Sequence, residues 1–158
     1  MLLEGSCHCA AVRFRLDSKT PHPYMRCYCS ICRKTAGGGG FAINLMGLYD
    51  SLEVEGREAI AVYRVRDADG SESDHRRHFC KHCGSALWVW SPSWPELVHP
   101  FASAIDTELA RPPAFVDLML GSKASWVALH EGDEIDRFEE YPEQSIADWH
   151  QAHGLTVD

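Results

Sequence analysis

Seven cysteines lie in three tight clusters within the first 83 of 158 residues, and this pattern constrains the fold more than any other feature. The clusters are Cys7-His8-Cys9, Cys27-Tyr28-Cys29-Ser30-Ile31-Cys32 and Cys80-Lys81-His82-Cys83. An odd number of cysteines leaves one thiol outside any disulfide framework. Thiolates held this close repel one another unless a soft cation binds between them. The spacing therefore favours metal binding over disulfides or scattered core cysteines.

The seven cysteines divide naturally into four and three. A structural zinc takes four ligands, whereas a catalytic zinc takes three protein ligands and keeps a fourth position open. Cys80 and Cys83, followed by Gly84, have the form of a zinc knuckle, and Cys7 with Cys9 is the natural second pair. The remaining cysteines, which we predict to hold a catalytic and exposed zinc, are Cys27, Cys29 and Cys32.

Other assignments of these cysteines stay open at this stage. A single four-cysteine site could use two cysteines of the middle cluster and leave Cys7 and Cys9 spare. An iron–sulfur cluster would also use thiolates, and a thiol redox enzyme would need a free attacking cysteine with a resolving partner. The middle cluster could instead hold a second structural zinc completed by a histidine, with candidates His22, His75, His78 and His99.

Short alternating stretches separated by turn residues predict a mostly β domain of antiparallel sheets. In the segment 11–16, Val12, Phe14 and Leu16 alternate with Arg13 and Arg15. Further strands are predicted at 41–45, 51–55, 60–65, 75–79, 86–90, 115–120 and 125–129, and short helices at 107–110 and 143–153. We expect one domain over residues 1–158, with a core at about 3–138 and a C-terminal helical extension at about 143–153.

The charge balance excludes several classes of partner. Fifteen Lys and Arg against 23 Asp and Glu give a net charge of −8, which argues against nucleic-acid and anionic-lipid binding. No apolar run approaches the ~20 residues of a membrane span, and the N-terminus lacks the features of a signal peptide. We therefore expect a cytoplasmic protein without nucleic-acid or membrane partners. The C-terminal helix is a candidate surface for formation of a homo-oligomer.

The cysteine motifs resemble the glutathione-dependent formaldehyde-activating enzyme family. All seven cysteines match in order and spacing, over roughly residues 3–138. The segments that carry the resemblance are Gly5–Cys9, Cys27–Lys34 and Phe79–Leu87, and Ser122–Trp126 is similar to the family's downstream strand.

The resemblance implies a β-tent fold with sheets packed around a structural zinc. It implies a carbon–sulfur lyase activity, of the S-(hydroxymethyl)glutathione synthase type, with glutathione as co-substrate and formaldehyde as the aldehyde. Residue by residue, it implies that the structural zinc is held by Cys7, Cys9, Cys80 and Cys83, and the catalytic zinc by Cys27, Cys29 and Cys32.

Two features beside the middle cluster are candidates for substrate contact. Arg33 and Lys34 could bind the carboxylates of glutathione, or form a solvated basic pair. The glycines at 37–40 could let the backbone approach a ligand, or form a flexible turn. The leading hypothesis is a zinc-dependent enzyme acting on a glutathione or other thiol adduct of formaldehyde or a related small aldehyde. The alternative is a non-catalytic, zinc-stabilised binding module of the same fold.

Overall fold

The chain forms twelve short strands and two short helices over the part described by the computed structural model, residues 1–132 and 134–155. The strands are β1 (Leu2–Ser6), β2 (Arg13–Asp17), β3 (Tyr24–Cys27), β4 (Ala42–Asn44), β5 (Gly47–Leu48), β6 (Glu53–Glu55), β7 (Ile60–Tyr63), β8 (Arg76–Cys80), β9 (Ala86–Trp90), β10 (Leu97–Pro100), β11 (Phe115–Leu118) and β12 (Ile135–Arg137). The helices are α1 (Ser30–Ala36) and α2 (Ile146–Ala152). The predicted mostly β fold with antiparallel sheets is confirmed.

The chain divides into two compact units, each built from two separate segments. Unit 1 comprises Met1–Lys19 and Met46–Glu108, and unit 2 comprises Thr20–Leu45 and Leu109–Asp158. Each unit has its own sheet system and one group of cysteines.

Unit 1 contains two antiparallel sheets, with strand orders β1-β2-β6 and β5-β10-β9-β8-β7. The alternation predicted for β2 is confirmed, because Phe14 and Leu16 are buried and Arg13 and Arg15 are exposed. The Phe14 ring meets Trp88 edge to face, with centroids 5.1 Å apart. This contact joins β2 and β9, which pair with β1 and β8, the strands that lead into the first and third cysteine clusters.

Unit 2 contains one four-stranded mixed sheet of order β12-β11-β3-β4. Strand β3 pairs antiparallel with β4 but parallel with β11, and β11 also pairs parallel with β12. The parallel pairs are a feature that the sequence did not predict. They place the end of β3, where the middle cysteine cluster begins, in the centre of the sheet.

Two local predictions are wrong. Residues 107–110 form no helix, and residues 125–129 form a turn followed by irregular chain instead of a strand. The C-terminal helix is confirmed as α2, which begins after the capping residue Ser145 and buries Trp149 within unit 2. The largest apolar side chain of α2, Trp149, therefore packs inside unit 2 and is not part of an exposed surface. No helix in the described ranges is both long and apolar enough to span a membrane.

Candidate metal centres

Four cysteines meet in unit 1 and form what we call the four-sulfur group. It consists of Cys7, Cys9, Cys80 and Cys83, whose sulfur atoms all lie within 4.8 Å of one another. Cys9 Sγ is 3.6 Å from Cys7 Sγ and 3.8 Å from Cys80 Sγ. With zinc–sulfur bonds of about 2.3 Å, the sulfur–sulfur edge of a tetrahedral site is about 3.8 Å. The donor chemistry and spacing therefore fit a structural zinc.

Tight turns at two strand ends assemble the four-sulfur group. Cys7 follows β1, and its turn is closed by hydrogen bonds from Ala10 N to Cys7 O (2.9 Å) and from Cys7 N to Val12 O (3.0 Å). Cys80 ends β8, and Gly84 N donates to Cys80 O at 2.8 Å. Gly84 has a φ of +76°, which glycine adopts readily. The expected knuckle turn is thus present.

Within the four-sulfur group, the surroundings favour the thiolate form of Cys83 and the thiol form of Cys9. A hydrogen bond from the Ser85 hydroxyl, 3.2 Å from Cys83 Sγ, lowers the pKa of Cys83 to about 5. A backbone hydrogen bond at Ala11 lowers the pKa of Cys9, but the side chain of Cys7 and the other thiols outweigh it and raise that pKa to about 11. A cation among the sulfurs would remove this conflict, because it stabilises all four thiolates together.

The other three cysteines meet in unit 2 and form the three-sulfur group, Cys27, Cys29 and Cys32, again within 4.8 Å of one another. Cys27 is the last residue of β3, Cys29 caps α1, and Cys32 lies in the first turn of α1. Cys29 Sγ accepts a hydrogen bond from Cys32 N at 3.3 Å, and Cys29 O accepts one from Arg33 N at 3.0 Å. A strand end joined directly to a helix start thus brings three sulfurs together within six consecutive residues.

Negative charge in the three-sulfur group concentrates on one sulfur. Hydrogen bonds from the Cys27 thiol, then from Cys32, lower the pKa of Cys29 to about 2. The same contacts, Cys29 first, raise the pKa of Cys27 far above its ordinary value. The group therefore contains one thiolate stabilised by its neighbours, a donor set suited to a soft cation such as zinc.

No further His, Cys, Asp or Glu from residues 1–132 or 134–155 joins the three-sulfur group. Among the histidines considered as a fourth ligand, His22 lies in unit 2, where its ring packs 5.1 Å from Tyr24 and its carbonyl accepts from His150 Nε2. The others, which belong to unit 1, are His75, His78 and His99. The group has three protein donors, as a site open to an outside ligand requires.

The three cysteines are buried, with exposed fractions of 5%, 8% and 4% for Cys27, Cys29 and Cys32. The three ligands are therefore shielded, whereas the exposure expected for the zinc itself stays a prediction. The cause of the shielding is local, because β3 is central in its sheet and Cys32 faces inward from α1. The two sulfur groups also share no cysteine, so a single site that draws on the middle cluster is not the arrangement found.

Comparison with known proteins identifies the family. A family model described as glutathione-dependent formaldehyde-activating enzyme matches residues 2–117, which include all seven cysteines. A protein of Halomonas elongata that carries this family's name is 59% identical over 155 residues, covering 98% of each chain. The chain belongs to the glutathione-dependent formaldehyde-activating family. The resemblance found in the cysteine motifs is confirmed.

A crystal structure of a Rhodobacter sphaeroides protein is also similar to this family member. It has a TM-score of 0.52 and 25% identity, and the match covers 68% of this chain and 92% of that one. The segment Ser122–Trp126 lies beyond the family match. The predicted similarity to a downstream strand is wrong, because the segment runs from the end of a 3-10 helix into a turn. Lys123 Nζ donates to Val127 O there at 2.7 Å.

The predicted glutathione contacts, Arg33 and Lys34, lie in the last turn of α1. Lys34 is exposed, whereas Arg33 is half-buried and its Nε is buried with no hydrogen-bond partner. Arg33 thus has a donor available on the helix that carries Cys32. A carboxylate contact would use such a donor.

The glycine segment is anchored at both ends. A Cβ at Gly37 would collide with the backbone of Phe41, and one at Gly40, which has a φ of +101°, would collide with Val127. Gly40 N also donates to Gly37 O at 2.9 Å. Gly38 and Gly39 are exposed, with open space where a Cβ would lie. The segment is a fixed turn with an uncovered tip.

Sequence reasoning missed a buried ion pair beside the three-sulfur group. Arg26, the residue before Cys27, donates from Nε to Asp117 Oδ1 at 2.5 Å, and the two side chains are 4% and 0% exposed. The available signal was the acidic residue in the apolar run FVDLML at 115–120. A charge at such a position is rarely buried unless it is paired.

Proposed function

We propose that this protein is a zinc-dependent enzyme that acts on the adduct of glutathione and formaldehyde, as a carbon–sulfur lyase of the S-(hydroxymethyl)glutathione synthase type. The observation that carries the proposal is the three-sulfur group, which has three protein donors in a member of a family named for this chemistry. A binding module would have little use for a three-donor site, because structural zincs are closed by four protein ligands.

We assign separate roles to the two sulfur groups. The four-sulfur group would hold a structural zinc, and the three-sulfur group a catalytic one, with Cys27, Cys29 and Cys32 as its ligands. We take residues 1–158 as a single zinc-binding domain of the β-tent type. The family match supports this view, because residues 2–117 include parts of both units.

The reaction joins the thiol sulfur to the aldehyde carbon, and the thiol proton ends on the new hydroxyl oxygen. A zinc held by Cys27, Cys29 and Cys32 would supply a Lewis acid, which would lower the pKa of a bound thiol. The chain's residues hold and shield this site. Helix α1 fixes Cys29 through the hydrogen bond from Cys32 N, and burial of the three cysteines limits access of water.

Two basic residues in the last turn of α1 would orient the substrate. Arg33, with its buried unpaired Nε, is the stronger candidate for binding a glutathione carboxylate, and Lys34 adds an exposed positive charge. The seven cysteines are proposed zinc ligands rather than disulfide partners, which suits a reducing compartment, and we propose the cytoplasm.

The test compares Cys29→Ser with Cys83→Ser. Serine can still cap α1, so Cys29→Ser changes the three-sulfur group and leaves the helix start intact. We expect Cys29→Ser to lose one zinc per chain and adduct formation while its unfolding temperature stays close to that of the wild type. Cys83→Ser should lose the other zinc and unfold at a much lower temperature, because structural zinc contributes folding free energy directly.

Zinc content, thermal unfolding and the NMR rate of S-hydroxymethylglutathione formation are the three readouts. Retention of the full rate by Cys29→Ser would refute the catalytic role of the three-sulfur group. A wild-type protein that holds both zincs and gives no rate above the uncatalysed reaction would favour the binding module.

A further inference from the structure

Unit 2 contains a cavity of about 600 Å³ that no part of the proposed reaction uses. Each strand of the four-stranded sheet contributes one lining residue: Arg26 from β3, Ile43 from β4, Phe115 from β11 and Ile135 from β12. Phe41 adds a second aromatic ring. The volume and the largely apolar lining suit one small organic molecule.

A row of charges crosses the sheet at this cavity. Asp117 is the register partner of both Arg26 and Arg137. Its carboxylate is 2.5 Å from Arg26 Nε and 3.9 Å from Arg137 Nε, and its side chain is fully buried. One carboxylate between two guanidinium groups leaves a net positive charge, and Arg26 brings that charge to the cavity lining.

Arg26 retains hydrogen-bonding capacity. A guanidinium carries five N–H donors, and the bond to Asp117 uses the one on Nε. Nη2 is buried with no hydrogen-bond partner, and the guanidinium carbon lies 4.2 Å from the centre of the Phe115 ring. A buried donor left without an acceptor is unfavourable, so an acceptor supplied by a ligand would be stabilising.

The remaining lining charges restrict the class of ligand. Arg111 supplies a second, exposed guanidinium, whereas Glu131 and Glu134 are exposed carboxylates. The glutamates disfavour a multiply charged anion, and the arginines favour a single carboxylate. We propose that this cavity binds a small organic molecule with one carboxylate and a flat apolar body, the carboxylate contacting Arg26 and Arg111 and the body packing against Phe41 and Phe115.

This site is distinct from the three-sulfur group. Arg26 and Cys27 are neighbours on β3, and successive side chains of a strand point to opposite faces of the sheet. The proposal therefore does not rest on the proposed function, and it can be tested on the zinc-loaded protein without any turnover.

The test titrates benzoate, with benzamide as the neutral isostere and inorganic phosphate as the competing oxyanion. The readout is the methyl NMR signals of Ile43 and Ile135, which line the cavity. We expect saturable benzoate binding with a Kd on the order of 1 mM. Benzamide should bind at least tenfold more weakly because it loses a charged hydrogen bond, and phosphate should do so because it lacks the apolar body and meets the two glutamates.

Three variants locate the carboxylate. Arg111→Gln removes an exposed guanidinium and should weaken benzoate binding about fivefold or more without loss of stability. Arg26→Lys keeps a positive charge beside Asp117 but removes the planar donor set, so it should weaken benzoate binding more than Arg111→Gln does. The matched control is Arg13→Gln, which removes an exposed arginine on β2 in unit 1 and should leave the affinity unchanged.

Equal affinities for benzoate and benzamide would overturn the proposal, as would phosphate binding as tight as benzoate. An unchanged benzoate affinity in Arg111→Gln would overturn it too, and this variant decides the question even if Arg26→Lys does not fold. The proposal would also be overturned if benzoate showed no saturable binding up to about 50 mM.

Discussion

Replacing Arg26 by methionine should destabilise the protein by about 3–5 kcal/mol, because the substitution leaves the carboxylate of Asp117 buried without its main partner. The structure sets this magnitude. The two side chains are 4% and 0% exposed, and Arg26 Nε lies 2.5 Å from Asp117 Oδ1. With charge centres roughly 4 Å apart and an effective dielectric constant of about 20, the Coulomb attraction is about 4 kcal/mol. Arg137, at 3.9 Å and 40% exposed, compensates only in part.

The assays are urea and thermal unfolding of the zinc-loaded protein, and the decisive comparison is the double variant Arg26→Met/Asp117→Leu. An apolar pair of similar volume leaves no buried charge, so the double variant should regain most of the lost stability. At about 2–4 °C per kcal/mol for a chain of this size, the single variant should unfold roughly 6–20 °C below the wild type. A single variant within about 1 kcal/mol of the wild type, or a double variant no more stable than the single one, would refute the reasoning.

Three further predictions concern backbone conformation and a half-buried histidine. Ala10 has a φ of +58°, so Ala10→Gly should stabilise the zinc-loaded protein by about 1 kcal/mol in urea unfolding, and a loss of stability would contradict the strain argument. Gly56→Ala should cost more than about 2 kcal/mol, because φ is +74° and the new Cβ would collide with the carbonyl of Ala11. Gly70→Ala, with φ of +87° and open space, should cost only about 1 kcal/mol, and equal costs would show that the collision is relieved. Burial lowers the pKa of His22 below its ordinary 6.5, so the unfolded chain takes up this proton more readily and stability should fall as the pH drops below about 6.5. His22→Gln should flatten that fall between about pH 7 and pH 5, and an unchanged slope would assign it to other groups.

Most of what could be predicted from the sequence came from the spacing of the cysteines and from the alternation of apolar and charged residues along short segments. Strand β2 followed from alternating apolar and charged residues, and the knuckle from Cys80, Cys83 and Gly84. These features are local, so nearby residues determine them. The structure also brings Cys7 and Cys9 to that knuckle, the pairing favoured on ligand chemistry.

Elements without a local signal were not predicted. Helix α1 has only seven residues, and its cap is Cys29 in place of the usual serine, threonine, aspartate or asparagine. Strand β10 ends at Pro100, a residue depleted in strands. The parallel pairing of β11 with β3 joins residues about ninety positions apart, and no local pattern encodes such a contact. Arg26 and Asp117 were missed for the same reason.

The two sulfur groups differ in the length of chain that each must close, and this difference orders their formation during synthesis. The three-sulfur group needs only the stretch from Cys27 to Cys32, so its sulfurs leave the ribosome almost together. The four-sulfur group requires a contact between Cys9 and Cys80, which lies 71 residues further along the chain. Closing the longer loop costs more entropy and must wait for β8 to emerge. The amino-terminal pair, although synthesised first, should therefore be the last to gain its partners. If both groups hold zinc, as proposed, a zinc shortage during synthesis should first lower the occupancy of the four-sulfur group.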